Sequence, residues 1–267
     1  MSLELNTIYN LDNVQGMKMM DAESVDLVVT SPPYDNLRNY NGYSFDFENV
    51  SKELFRILKV GGVVVWIVND AMIDGSETGT SFRQALGFMD VGFNLHDTMI
   101  WCKDGGGAVG SNYAYSQNFE YMFVLSKGRP KTFNPIKDKK NLSYKENGNN
   151  KITVFTKSRR NVEVTREDKR QIEIQEFSKR NNWWVFTPSQ EEGSFFHPAI
   201  FPEKLVRDHI ISWSNEGDLV LDPFIGSGTT AKVARSFHRN FIGFEISTEY
   251  WKLANKRLQD TKTLWDL

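Results

Sequence analysis

The residues able to do chemistry gather in three short stretches. Thr30-Ser31-Pro32-Pro33-Tyr34 follows the apolar run from Val25 to Val29, which reads as a short buried strand. Two prolines stop it, because proline has no N–H for a ladder and fixes φ near −65°. The chain therefore leaves the strand end as a stiff loop. Such a loop offers backbone carbonyls, the Ser31 hydroxyl and the Tyr34 ring, a set suited to a planar, amine-bearing ring. A Pro-Pro turn with an incidental tyrosine would use the same residues, so this stretch alone leaves both readings open.

The second stretch is Asp222-Pro223-Phe224-Ile225-Gly226-Ser227-Gly228-Thr229-Thr230, between the apolar run Leu219–Leu221 and a helical pattern through Val233, Ala234 and Phe237. Strand, glycine-rich turn and helix in succession let backbone approach a ligand and present unpaired N–H groups at the helix start. It is not a phosphate P-loop, since no lysine follows the last glycine. An aspartate at the strand end repels phosphate and suits an ammonium group or hydroxyls. In the third stretch, the run Phe241–Phe244 ends at Glu245, where a carboxylate is the usual grip on a ribose diol.

The elements that must position these residues alternate. Thr7–Asn10 reads as an opening strand with Asp12 just beyond it, placed for a helix N-cap or for a ligand contact. A helix pattern runs through Val50, Leu54, Phe55, Ile57 and Leu58, with Gly61-Gly62 expected to end it. Val63–Val68 follows as a buried strand, 82–88 as a helix, and 95–102 and 119–125 as strands. The polar loop 35–43 reads as a flap or a solvated loop, and the glycine-rich loop from Asp104 as flexible. Later, Trp183–Phe186 returns to the core, a helix runs through Ile210 and Trp213, and a last helix spans 250–258. Alternating strands and helices imply an α/β fold, a mostly parallel twisted sheet with helices on both faces. Ligands then bind outside the carboxyl ends of the strands, where Asp12, Ser31, Asp222 and Glu245 all fall.

Together these motifs resemble the S-adenosylmethionine-dependent amino-methyltransferases of DNA. Asp222 to Gly228 matches the cofactor motif D-x-F-x-G-x-G, Glu245 the ribose acid, and Ser31 to Tyr34 the catalytic [DNS]-P-P-[YFW]. The catalytic motif precedes the cofactor motif, which resembles the permuted beta arrangement. Protein-glutamine methyltransferases carry a similar Asn-Pro-Pro-Tyr after the cofactor motif, so the order argues against them. The resemblance implies a Rossmann-like methyltransferase fold and S-adenosylmethionine as cofactor, with no metal required. It implies cofactor-binding roles for Asp12, Asp222, Phe224, Gly226, Ser227, Gly228, Thr229 and Glu245, and catalytic roles for Ser31, Pro32, Pro33 and Tyr34. His197 to Leu205 resembles the family's H-P-x-x-x-P-x-x-L element, with Phe201 where many relatives have lysine; His197 and Lys204 then become candidates for the cofactor carboxylate.

Composition bounds the rest. With 267 residues, 40% of them hydrophobic, the chain can bury a large core, either in one α/β domain with an insertion or in two domains. One cysteine, Cys102, excludes a disulfide framework and any multi-cysteine zinc site. No signal-peptide pattern or long apolar run is present, so a cytoplasmic, DNA-associated protein of bacterial or phage origin is expected, with no membrane partner. The net charge of −2 hides an asymmetry: 16 of the 32 Lys and Arg but 7 of the 34 Asp and Glu lie between Lys127 and Arg180. That segment carries +9 and the remainder −11. Segregation of this kind suggests contact with a polyanion. Residues 127–182 occupy the place of the family's target-recognition region, inserted between catalytic parts 1–126 and 183–267. Arg38, Lys137, Lys139, Lys140, Arg159 and Arg160 are the expected contacts to double-stranded DNA. A homodimer and a cognate restriction endonuclease are compatible with the resemblance.

Serine at the head of the catalytic motif goes mostly with cytosine N4 in the family, while adenine enzymes more often carry Asp or Asn. The expected reaction is therefore methylation of cytosine N4 in a flipped base, with adenine N6 as the alternative. A non-catalytic DNA-binding module is a more remote one.

Overall fold

The computed structural model describes residues 3–33, 46–103, 115–146, 148–155, 169–187 and 202–260. Among them, eight strands form one sheet: β1 (Thr7–Tyr9), β2 (Val25–Thr30), β3 (Leu58–Val68), β4 (Asn94–Lys103), β5 (Phe119–Ser126), β6 (Trp183–Phe186), β7 (Leu219–Asp222) and β8 (Asn240–Phe244). Six helices accompany it: α1 (Asn13–Lys18), α2 (Phe47–Ile57), α3 (Thr80–Val91), α4 (Glu203–Trp213), α5 (Thr229–Ser236) and α6 (Thr248–Gln259). Residues 1–134 and 182–267 make one compact unit and Pro135–Asn181 another.

Alternation within the strands sets the layers. In β3, Val63, Val65 and Ile67 enter one core with residues of α4, α5 and α6, such as Ile210, Ala231 and Ala254. Val64, Trp66 and Val68 enter a second core with Leu54 of α2 and Phe88 of α3. Both faces of β3 are thus buried, which is why it reads as a continuous apolar run. The sheet order is β1-β8-β7-β2-β3-β5-β4-β6. All pairings are parallel except those of β5 with β3 and β4. The carboxyl ends of β1, β8, β7, β2 and β3 consequently share one edge.

Two expectations change. Gly61-Gly62 does not end α2. The helix stops at Ile57, Leu58 is already extended, and both glycines lie inside β3. Leu58 pairs with Val25 and Val63 with Leu27, so β3 bulges between them. The glycines admit close neighbours there: Gly61 N–H donates to Lys127 O at 2.7 Å, its φ is +85°, and a Cβ on Gly62 would lie 2.9 Å from Asp26 O. Trp183–Phe186 returns to the core only by halves, for Trp184 and Phe186 are buried while Trp183 and Val185 are exposed. No helix among the described residues is long and apolar enough to cross a membrane.

The Pro135–Asn181 unit is built of antiparallel pairs. Lys151–Phe155 pairs with Lys169–Glu173, and Lys139–Lys140 with Phe177–Ser178. Arg180 clamps Asp138 with Nε at 2.9 Å, and Arg180 N–H donates to Ile136 O at 2.9 Å.

Candidate active site

Asp222 is the last residue of β7 and is 2% exposed. Its Oδ1 accepts from Thr30 Oγ1 at 2.6 Å and from Phe224 N–H at 3.0 Å, and its Oδ2 accepts from Thr230 Oγ1 at 2.7 Å. Burial pushes its carboxyl from the ordinary 3.8 up to about 6, although all three hydrogen bonds pull the other way. Asp222 therefore joins three elements: the end of β2, the glycine loop and the first turn of α5.

The loop from Pro223 to Gly228 turns tightly onto α5. Gly228 caps that helix at φ +84°, and a Cβ there would lie 3.0 Å from Ala254 Cβ of α6. Conformation and space both demand glycine. Glu245, just past β8, holds the loop from the other side: Oε2 accepts from Gly226 N–H at 3.0 Å and Oε1 from Ser247 N–H at 2.8 Å. Burial raises its pKa against those bonds. Each oxygen keeps a lone pair, so a vicinal diol can still be received.

Ser31 and Pro33 are half-buried and Pro32 is buried, directly after Thr30. Since β2 and β7 are neighbours with Leu221 opposite Val28, Ser31-Pro32 emerges beside the start of the glycine loop. Asp12 caps α1, its Oδ1 accepting from Gln15 N–H at 3.0 Å. The edge thus presents the half-buried Asp12 and Glu245 from neighbouring strands, an acidic rim suited to a cationic ligand, with Asp222 buried beneath it on the next strand.

Other expected residues sit differently. The Ser227 and Thr229 side chains are buried and turned to Arg257 of α6, whose Nη1 donates to Ser227 O and Oγ at 2.8 Å and to Thr229 Oγ1 at 3.3 Å. Phe224 sets its ring edge-on to Trp66, centroids 6.2 Å apart. Lys204 is exposed and holds its ammonium 5.3 Å from the Phe186 ring centre. Lys137, Lys139 and Lys140 are exposed, with Lys139 Nζ 2.9 Å from Asn181 Oδ1. Tyr34, Arg38, Arg159, Arg160 and His197 lie outside the described residues, as do the loops at 35–43 and 104–114.

Sequence reasoning missed Thr30, Thr230 and Arg257. The two threonines carried a signal, since a strand-end aspartate buried among apolar residues needs hydroxyl or amide donors. Arg257 carried none, because its partners lie 28 and 30 residues away in sequence.

The profile of the DNA methylase family that acts at N6 or N4 matches residues 25–256. The chain belongs to that family. It is 53% identical over 242 residues to the orphan methyltransferase M.BamHII of Bacillus amyloliquefaciens, covering 89% of each chain. With the DNA adenine methyltransferase YhdJ of Escherichia coli K12 it shares 28% identity, over 96% of this chain and 83% of that one. The fold is also that of the cytosine-N4-specific PvuII DNA methyltransferase, at a TM-score of 0.69 and 22% identity, covering 98% of this chain and 89% of that one.

Proposed function

We propose that this methyltransferase transfers a methyl group from S-adenosylmethionine to the exocyclic N4 of cytosine in double-stranded DNA, acting on a flipped base. The observation that carries the reading is the 2.6 Å bond from Thr30 to Asp222, which fastens the Ser31-Pro32 loop to the glycine loop. A methyl donor held by one loop and an amine held by the other would then meet in fixed orientation.

S-adenosylmethionine, when bound, supplies the methyl group on a sulfonium. The residues present fit it: Glu245 retains lone pairs for the ribose diol, Asp12 stands at the next strand for the adenine amino group, and the acidic rim favours the cationic end. Asp222 holds the loop in shape. On the substrate side, Ser31 Oγ and the Pro32 carbonyl accept the two amine hydrogens and free a lone pair that the ring otherwise delocalises. Tyr34 stacks on the base and offsets the few kcal/mol needed to unstack it. The Pro135–Asn181 unit is the DNA-reading part, its exposed lysines placing the duplex by phosphate contacts.

Adenine N6 is the second reading. It is favoured by the likeness to YhdJ, an adenine methyltransferase, and by the similar amidine edges of the two bases. Incubating the protein with duplex DNA and methyl-labelled S-adenosylmethionine tests the reaction class: label should enter the DNA. Cofactor binding without transfer would make the chain a non-catalytic DNA-binding module.

A further inference from the structure

The glycine loop is fastened at three points. Asp222 accepts from Phe224 N–H, Glu245 accepts from Gly226 N–H, and Arg257 donates to Ser227 and Thr229. The first two fastenings come from the strand ends, and the third leads away from them. The Arg257 side chain is 13% exposed, and a guanidinium so nearly buried calls for a carboxylate. Glu203 supplies one: its Oε1 lies 3.4 Å from Arg257 Nη2 and also receives the Lys232 ammonium. Glu203 opens α4 directly after Pro202, Lys232 lies on α5, and Arg257 stands in the last turn of α6. One carboxylate oxygen therefore joins three helices that pack on the same face of the sheet.

The two ends of the guanidinium have different duties. Nη2 faces Glu203, while Nη1 lies 2.8 Å from both Ser227 O and Ser227 Oγ. The group is planar and rigid, so a carboxylate that orients one end aims the other. Helix dipoles favour both charges where they stand, the acid in the first turn of α4 and the base in the last turn of α6. That effect holds the helix ends but does not aim Nη1. We infer that Glu203 is a positioning residue for cofactor binding: it aims Arg257, and through Arg257 it keeps the Ser227–Thr229 part of the glycine loop in its binding shape. The inference rests on the reading that this loop holds S-adenosylmethionine, and it adds a residue outside the loop on which that binding depends. The Ser31-Pro32 loop is tied separately, through Thr30 and Asp222, so the transfer step itself should be spared.

Calorimetric binding of S-adenosylmethionine to the whole chain, beside steady-state turnover on duplex DNA, tests this. Glu203→Gln keeps the size and an acceptor and removes the charge. Its Kd and KM for the cofactor should rise roughly fivefold, the scale of a partly exposed ion pair, with kcat unchanged. Added to Arg257→Met, it should weaken binding by less than about a further twofold, because residues that act through one another are not additive. Lys232→Met takes away the other partner of Glu203 and leaves Arg257 aimed, so cofactor affinity should stay within about twofold. Arg257→Lys keeps the charge and loses the fork, and should bind the cofactor as weakly as Arg257→Met. Circular dichroism checks folding, and Arg257→Lys decides the matter if Glu203→Gln does not fold. Unchanged affinity in Glu203→Gln, a fall in kcat as large as its rise in KM, or full additivity with Arg257→Met would each overturn the inference. Equal weakening by Lys232→Met, or affinity kept by Arg257→Lys, would do the same; all of these leave the cofactor reading intact. No binding of S-adenosylmethionine by the unaltered chain would remove that reading and the inference with it.

Discussion

Thr30 Oγ1 donates to Asp222 Oδ1 at 2.6 Å, with both residues buried, and so the strand that ends in Ser31-Pro32 is tied to the strand that opens the glycine loop. Valine has the shape of threonine without the donor. Thr30→Val should therefore lower kcat by about tenfold with a smaller change in S-adenosylmethionine affinity. It should also cost about 1–3 kcal/mol of stability through the missing bond. Thr30→Ser should recover most of both. Turnover measured beside calorimetric cofactor binding decides it; equal losses in the two would place Thr30 in the cofactor pocket alone.

Asp222 makes stability depend on pH. Its pKa is raised from 3.8 to about 6 by burial. The folded protein then binds the proton more tightly than the unfolded chain, so the stabilising effect of protonation is complete below about pH 4 and is lost as pH rises through 6. A shift of this size is about 3 kcal/mol. Asp222→Asn keeps an acceptor for Thr30 and Phe224, and the Thr230 hydroxyl can turn to accept. Thermal melts between pH 4 and 7 should show a flatter pH dependence for Asp222→Asn than for the wild-type chain. Parallel curves would show that Asp222 does not titrate in this window.

Much of this arrangement was legible in the chain and part of it was not. The strand ends were readable because apolar runs stop at Asp222, Glu245 and the prolines after Ser31, and each stop has a local cause. Gly61-Gly62 misled because glycine after a helical pattern usually caps a helix, whereas here the need is for close passage of the backbone around Lys127. Trp183 and Val185 could not be assigned a side from sequence, since four apolar residues in a row hide a period of two. Arg257 was invisible for a different reason: only the packing of α6 on the glycine loop brings it to Ser227 and Thr229.

That packing gives a separable prediction. Arg257→Met keeps an unbranched apolar stem and removes the donors to Ser227, Thr229 and Glu203. S-adenosylmethionine affinity should fall by about tenfold, one charge-assisted bond's worth, while DNA affinity measured without cofactor is unchanged. A parallel loss of DNA binding would mean that Arg257 supports more than the loop.

DNA binding is expected to rest on the basic unit. Affinity should fall by orders of magnitude between about 50 and 200 mM salt. Replacing Lys137, Lys139 and Lys140 with alanine should reduce the slope of log affinity against log salt by roughly 0.9 for each phosphate that the protein no longer neutralises. Filter binding across a salt series measures both quantities, and an unchanged slope would remove these lysines from the duplex.

The central claim is a methyl group on an exocyclic amine of cytosine. DNA methylated with labelled S-adenosylmethionine, digested to nucleosides and separated by chromatography, tests it directly. Label is expected in N4-methylcytosine. Label in N6-methyladenine would contradict the target atom and leave the amine chemistry standing. Label at carbon 5 of cytosine would contradict the mechanism itself, because that reaction needs a cysteine nucleophile, and the chain's one cysteine, Cys102, lies in β4 rather than in the Ser31-Pro32 loop.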